Sequence, residues 1–330
     1  RGSKTTSDSY ILWPAKIGAF SLIMGRHVSH PDTSDLPFSY LIEQNNQTYL
    51  VPAVNLRSVG TIRDAQKWPK RDKRKDSHQL DYINFNLLSP YTIQKMLSGI
   101  EVLRTLQQVS GETSEEYSYQ SAHIKSNSLK KGIQYYSMAI NKFLGNSIIK
   151  RLENLTFHNN EEIRQRLAPT RTEGSGEWVD LSGLIVPQQG IIRLIRRIEN
   201  GEIESVGQIT DTFRQLHADY YQLEWTWEVM QPWYRVTPES ITAGDVIRIV
   251  NTWKEAVVNL DKMLYEDAKK EFSMTAQTGF GADGNQKQKK IDFEQVRGAF
   301  ENNPFVETVQ EHIKAKTALG DELIERLKNI

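Results

Sequence analysis

An isoleucine returns every sixth residue near the start of the chain, at Ile11, Ile17 and Ile23, so residues 11–28 divide into ILWPAK, IGAFSL and IMGRHV. A helix repeats apolar positions about every 3.6 residues and a strand about every 2, so this spacing asks for another backbone path. A left-handed β-helix supplies one. Each turn of its coil has three short flat faces of about six residues, with an aliphatic side chain inward on each. Gly18 follows the second isoleucine, and Ala15 and Ser21 are small enough for interior corners. His27 falls where the third small residue belongs, and HPDTSDLP follows it. Residues 11–28 therefore read as the last coil, with 26–37 leaving it. A plain strand–turn–strand would also space three isoleucines this way. A lone coil buries too little to stand, because repeat folds need about three stacked units. The coil reading thus makes the chain the C-terminal piece of a longer protein, with 1–10 a disordered or trimmed start.

Downstream, FSYLIE and TYLVPAVN flank QNNQ, which predicts a β-hairpin closing the coil. A basic connector follows over 59–88, with Lys67, Lys70, Arg71, Lys73, Arg74 and Lys75 around Trp68 and Pro69. From residue 89 the signals are helical. Ser89 is placed to N-cap with Pro90 at the first position, ahead of a stripe that ends before Gly111. A long helix is predicted from about 115 to 155. Ser205 with Gln208 forms a capping box ahead of Ile209, Phe213, Leu216, Tyr220, Leu223 and Trp227. Thr242 with Asp245 starts another helix running through Phe272, and Asn303–Pro304 a last one ending near Leu327. The apolar centre of 168–187, Trp178 to Val186, is expected to pack. The fold class is mainly α: a helical bundle following the last coil of a left-handed β-helix and a short hairpin. The expected divisions are 1–10, 11–58, 59–88, a helical subdomain at 89–170 and a second at 171–330.

Bulk composition narrows the functional classes. With 41 Lys+Arg against 41 Asp+Glu, global charge gives no reason to expect nucleic acid. The absence of cysteine excludes disulfides, thiolate nucleophiles and Cys-ligated zinc. No apolar run approaches the ~20 residues of a membrane span, and RGSKTTSDSY lacks a signal-peptide core. The expected location is cytoplasmic, with no membrane partner.

Motifs of known chemistry are sparse. GFGADG (279–284) matches G-x-G-x-x-G, but a Lys-rich helix end precedes it and no strand is predicted there. Asp283 to Glu294 has the length of an EF-hand loop, yet Lys287 and Gln288 stand where a ligand and a glycine are needed. His217, Tyr221, Glu224 and Glu228 share one helical face and read as a polar network. No metal site is expected. The best candidate lies between coil and basic stretch. His27, His30 and Asp32 are the candidate catalytic group, since imidazole titrates near neutrality and suits a general base. Arg26, Arg57, Arg63, Lys70, Arg71, Lys73 and Arg74 are candidate phosphate or cofactor ligands. The alternative is turn histidines and a solvated charge run. RNA binding is disfavoured because Asp64, Asp72 and Asp76 interrupt the stretch.

Several long segments, SLIMGRHVSHPDTSDLPFSYLIE, LVPAVNLRSVGTIRDAQKWPKRDKRK, GEWVDLSGLIVP and LHADYYQLEWTWE among them, resemble an uncharacterised bacterial family of unknown function. The resemblance covers nearly all of 11–330. It implies an N-terminal left-handed hexapeptide β-helix followed by a long helical part, and it supplies no reaction or catalytic residue. Fold-level analogy alone suggests a hexapeptide-repeat acyltransferase or sugar-nucleotide transferase, taking acyl-CoA or a sugar nucleotide as substrate and packing as a homotrimer. The alternative expectation is a non-catalytic helical module for oligomerisation or partner binding.

Overall fold

The computed structural model describes residues 1–76, 81–273, 275–281, 284–328 and 330. Its N-terminal part is built on short parallel strands: β1 (Lys4–Thr5), β2 (Tyr10–Ile11), β3 (Leu22–Met24), β4 (Arg26–His27) and β5 (Tyr40–Gln44). Lys4 pairs with Leu22 and Leu22 with Tyr40, both parallel, so partners lie 18 residues apart. Tyr10 pairs with Arg26 and Ile11 with His27, and an isolated parallel bridge joins Lys16 to Asp32; these partners lie 16 apart. Ile23 is buried, while Ile11 and Ile17 are half-buried against the core. His27, assigned to a corner by the six-residue repeat, lies instead in β4 opposite Ile11.

The QNNQ hairpin forms as expected, between β5 and β6 (Gln47–Val51). Asn45 and Asn46 both have positive φ, the left-handed pair that a two-residue hairpin turn needs and that Asn tolerates. The basic stretch is partly helical, as α1 (Val59–Arg71). Ser89 caps α2 (Pro90–Ser110) in a capping box with Thr92.

The chain is not mainly α throughout; its N-terminal part is mixed α/β. The helix expected from 115 begins only at residue 126. Before it, Tyr117, Ala122 and Ile124 alternate inward in β7 (Glu116–Tyr119) and β8 (Ala122–Lys125), and β8 joins β6. The result is one six-stranded mixed sheet, ordered β1-β3-β5-β6-β8-β7. Alternation over so few residues is the strand period, and it overrides the apolar count that favoured helix. α3 (Ser126–Leu152) and α2 cover the sheet, with Tyr136 Oη donating to Pro37 O at 2.6 Å.

The C-terminal part is mainly helical. α4 (Asn160–Leu167) leads to a second hairpin, β9 (Trp178–Leu181) and β10 (Leu184–Pro187), where the apolar centre of 168–187 packs. α5 (Gln188–Glu199) follows. The helix predicted across 205–227 is broken at Asp219 into α6 (Val206–Ala218) and α7 (Tyr220–Val229). α8 (Ala243–Ala268) starts at the Thr242–Asp245 box but ends short of Phe272, in a 3-10 turn. α9 (Gln286–Arg297) and α10 (Pro304–Leu327) complete the chain, and α10 has its expected cap at Asn303.

Two cores hold these parts. The larger draws side chains from Ala19 to Leu260, and the smaller joins α3, α4, α8 and α10 around Trp253. Each fully buried Leu or Ile contributes about 1.5–3 kcal/mol by leaving water. Trp253 fits because α3 presents Gly145 to it: a Cβ there would lie 2.6 Å from Trp253 Cβ. No helix among the described residues is long and apolar enough to cross a membrane.

Candidate functional site

α1 begins at Val59, whose backbone N–H donates to Asp267 Oδ2 of α8 at 3.0 Å. That anchor aims one face of α1 across the edge of the sheet. Thr61, Asp64, Trp68 and Arg71 recur at three- and four-residue steps, so they share this face. Opposite lies the β9–β10 turn, where Gly183 at φ +110 lets Ile83 pack against the backbone. Asn84 N–H donates to Gly183 O at 2.9 Å, which ties segment 81–85 to the turn. Between these walls is a cleft of about 1450 Å³, floored in part by Phe20 and Tyr91.

Much of the charge in the cleft is already neutralised. Lys4 pairs with Asp64 at 2.5 Å and holds that carboxyl below its usual range. Arg1 lies 3.9 Å from Asp180 and donates to Asn84 O; burial lowers its pKa, and Asp180 opposes this. Arg74 donates to Asp72 and, at 2.7 and 2.8 Å, to both oxygens of Asp81. The Arg74 hydrogen bonds hold Asp72 down to about 2, and the two carboxylates raise Arg74. Lys67, Arg71 and Lys73 are different. Their side chains make no ion pair or hydrogen bond among the described residues, and Trp68 beside them is 65% exposed. Free cations next to an open indole suit a ligand that carries both phosphate and a flat or apolar group.

The residues singled out in the sequence separate into groups. Arg71, Lys73 and Arg74 line the cleft; Arg57, Arg63 and Lys70 do not. Arg63 lies 3.7 Å from Asp64, and Arg26 is an exposed partner of Asp8. His27 is fully buried: Nε2 donates to Met24 O at 3.2 Å, so Nδ1 is left to accept from Thr48 Oγ1 at 2.9 Å. Burial lowers its pKa, which keeps the ring neutral. His30 is exposed, 3.4 Å from Leu12 O. Burial pushes Asp32 up, but two hydrogen bonds from Ser34 and the Lys16 ammonium outweigh it, and the net direction is down. None of these three lines the cleft. Lys4 and the carboxylates Asp81 and Asp180 reach the cleft from distant segments and carry no local signal in the sequence. Gly279, Gly281 and Gly284 sit in the turns before α9; Asp283, where an EF-hand loop would start, lies outside the described residues. Among the described residues, no group of three or more His, Asp or Glu is placed to hold a metal ion.

Fold and cleft define a protein with an N-terminal mixed sheet and its helices, a mainly helical C-terminal part, and a charged cleft drawing on both. The family model for a domain of unknown function (DUF6819) matches residues 159–327, just over half of the chain, and the chain belongs to that family. A second domain of unknown function (DUF4954) is matched over residues 1–107. No curated protein and no solved structure matches the chain. The cleft takes α1 and β1 from the segment matched over 1–107 and the β9–β10 turn from the segment matched over 159–327.

Proposed function

We propose that this chain is the C-terminal part of a hexapeptide-repeat protein and that its cleft binds a phosphate-bearing small molecule, either a sugar nucleotide or an acyl-CoA. The coil reading is supported by three separate series of parallel partners, 4–22–40, 10–26 and 16–32, the recurrence expected of a chain winding over three faces. The binding reading rests on one observation. Among the described residues, the Arg71 and Lys73 side chains have no ion-pair or hydrogen-bond partner, and they stand beside an exposed Trp68 in a cleft large enough for a nucleotide. Because neither His27 nor His30 lines that cleft, the proposal is for binding and assigns no proton transfer.

Thermal shift tests it. A ligand that binds only the folded state stabilises by about 2.7 kcal/mol at a hundredfold excess over Kd. In a domain of roughly this size, that raises Tm by several degrees, at about 2–4 °C per kcal/mol. UDP-sugars or acetyl-CoA are expected to raise Tm of the parent chain, and the rise is expected to vanish in the Arg71→Ala, Lys73→Ala double variant. No rise with any phosphate-bearing ligand, or an equal rise in the double variant, contradicts the proposal.

A further inference from the structure

A second cluster lies away from the cleft, where α3, α8 and α10 meet. Lys142, Asn146 and Lys150 recur every four residues along α3, and His312, Lys316 and Leu319 share one face of α10. They line a pocket of about 290 Å³, with the Trp253 ring of α8 as one wall. Lys150 Nζ sits 5.4 Å from the Tyr221 ring centre, and Lys316 Nζ 5.9 Å from that of Trp253. Among the described residues, none of the three ammonium groups makes a hydrogen bond.

The lining is organised around buried Asp261. Its Oδ2 accepts from His312 Nδ1 at 2.6 Å, which fixes the imidazole and leaves Nε2 unbonded among the described residues. Its Oδ1 lies 3.9 Å from Lys142 Nζ, an ion pair too long for a good hydrogen bond. The Lys142 side chain is only 24% exposed. Burial lowers its pKa, Asp261 opposes that, and the Lys316 ammonium lowers it further. Two like charges thus face one small space. Asn146 Oδ1 accepts from Trp253 Nε1 at 2.8 Å, which turns the amide and leaves its NH₂ as a further donor. Among the described residues, Glu153 is the one carboxylate on the lining.

We propose that this pocket binds a phosphate group, as inorganic phosphate or as a small phosphomonoester. The Lys142 and Lys316 ammonium groups and an amide supply donors to several oxygens of a tetrahedral anion, with Lys150 adding positive charge from the rim. The anion also removes the repulsion between Lys142 and Lys316. The volume suits a phosphate with a short substituent and falls short of a nucleotide. The site shares no lining residue with the cleft.

Calorimetric titration of the full chain with inorganic phosphate, and separately with methyl phosphate, is the test. Each is paired with NMR of the His312 ring. One binding event is expected, with a shift of the His312 resonances. Its affinity should fall about tenfold in Lys316→Gln, the weight of one charge-assisted hydrogen bond, and likewise in Lys142→Met. It should persist in the Arg71→Ala, Lys73→Ala cleft variant. Lys316 is half-exposed, so its variant guards against a Lys142 change that disturbs folding. Binding of methyl phosphate as tightly as of phosphate identifies an ester as an admissible ligand; binding of phosphate alone restricts the site to the free anion. The proposal is overturned by no binding of either ion, by unchanged affinity in Lys316→Gln, or by loss of phosphate only in the cleft variant. In the last case the cleft reading survives without it.

Discussion

Glu228 is buried on α7, and among the described residues neither of its carboxylate oxygens has a well-formed hydrogen bond. Glu224, one turn earlier, is also buried and accepts from Tyr220 Oη at 2.9 Å. Burial is the main force on both. It pushes Glu224 up to about 7 against the pull of Tyr220 and Lys150. It also raises Glu228 well above the ordinary 4.5, with Glu224 adding to the rise and Ser147 and Arg151 opposing it. Tyr234, itself raised by burial, is close enough to feel the Glu228 charge. Such carboxyls bind a proton more tightly in the folded chain than in the unfolded one. The Glu224 contribution is therefore complete below about pH 4.5 and is lost as pH rises through about 7, and Glu228 acts in the same direction. The loss is of the order of a few kcal/mol. Thermal melts should show Tm falling from pH 5 to pH 8. Glu228→Gln should flatten that slope and melt above the parent at pH 8. A Gln variant less stable than the parent at pH 8, with the slope intact, would show that the carboxylate is compensated in a way the geometry lacks.

At the scale of single elements, α1 depends on a residue far away in sequence. Ser58 occupies the N-cap position but makes no side-chain cap, and the Val59 N–H goes to Asp267 of α8 instead. The helix is short, and Pro69 interrupts it near its end. Losing a cap costs about 1 kcal/mol, enough to loosen a marginal helix. Asp267→Ala should lower stability by about that amount and raise amide hydrogen exchange over 59–62 selectively. Unchanged protection there would mean that α1 is held by its packing alone. The same contrast explains which elements could be read from the sequence. Ser89, Ser205, Thr242 and Asn303 announce their helices because their partners lie within three residues. The β7–β8 hairpin announces nothing, since Gln120 and Ser121 take positive φ without the Asn or Gly that would signal it. The break at Asp219 is equally silent: the apolar stripe runs through it, while Asp219 accepts from Arg171 and Gln215.

Across the whole molecule, the cleft was legible only in part. Arg71, Lys73, Arg74 and Trp68 stand close together in sequence, so a basic aromatic patch was visible. Its opposite wall comes from residues 81–85 and 180–183, brought across by the pairing of Asn84 with Gly183. Which cations are paired is decided by carboxylates from those segments: Asp81 takes Arg74 and Asp180 takes Arg1, leaving Lys67, Arg71 and Lys73 without an ion pair among the described residues. His27 illustrates the reverse. It reads as a candidate base on chemistry alone, but the parallel register turns it inward to Thr48. The central claim is that the α1 cleft receives a phosphate-bearing ligand against Trp68. The most direct measurement is tryptophan fluorescence during titration with a UDP-sugar, compared between the parent chain and Trp68→Phe. A saturable quench that disappears in Trp68→Phe is the predicted result. A flat titration, or an identical quench without Trp68, would contradict it.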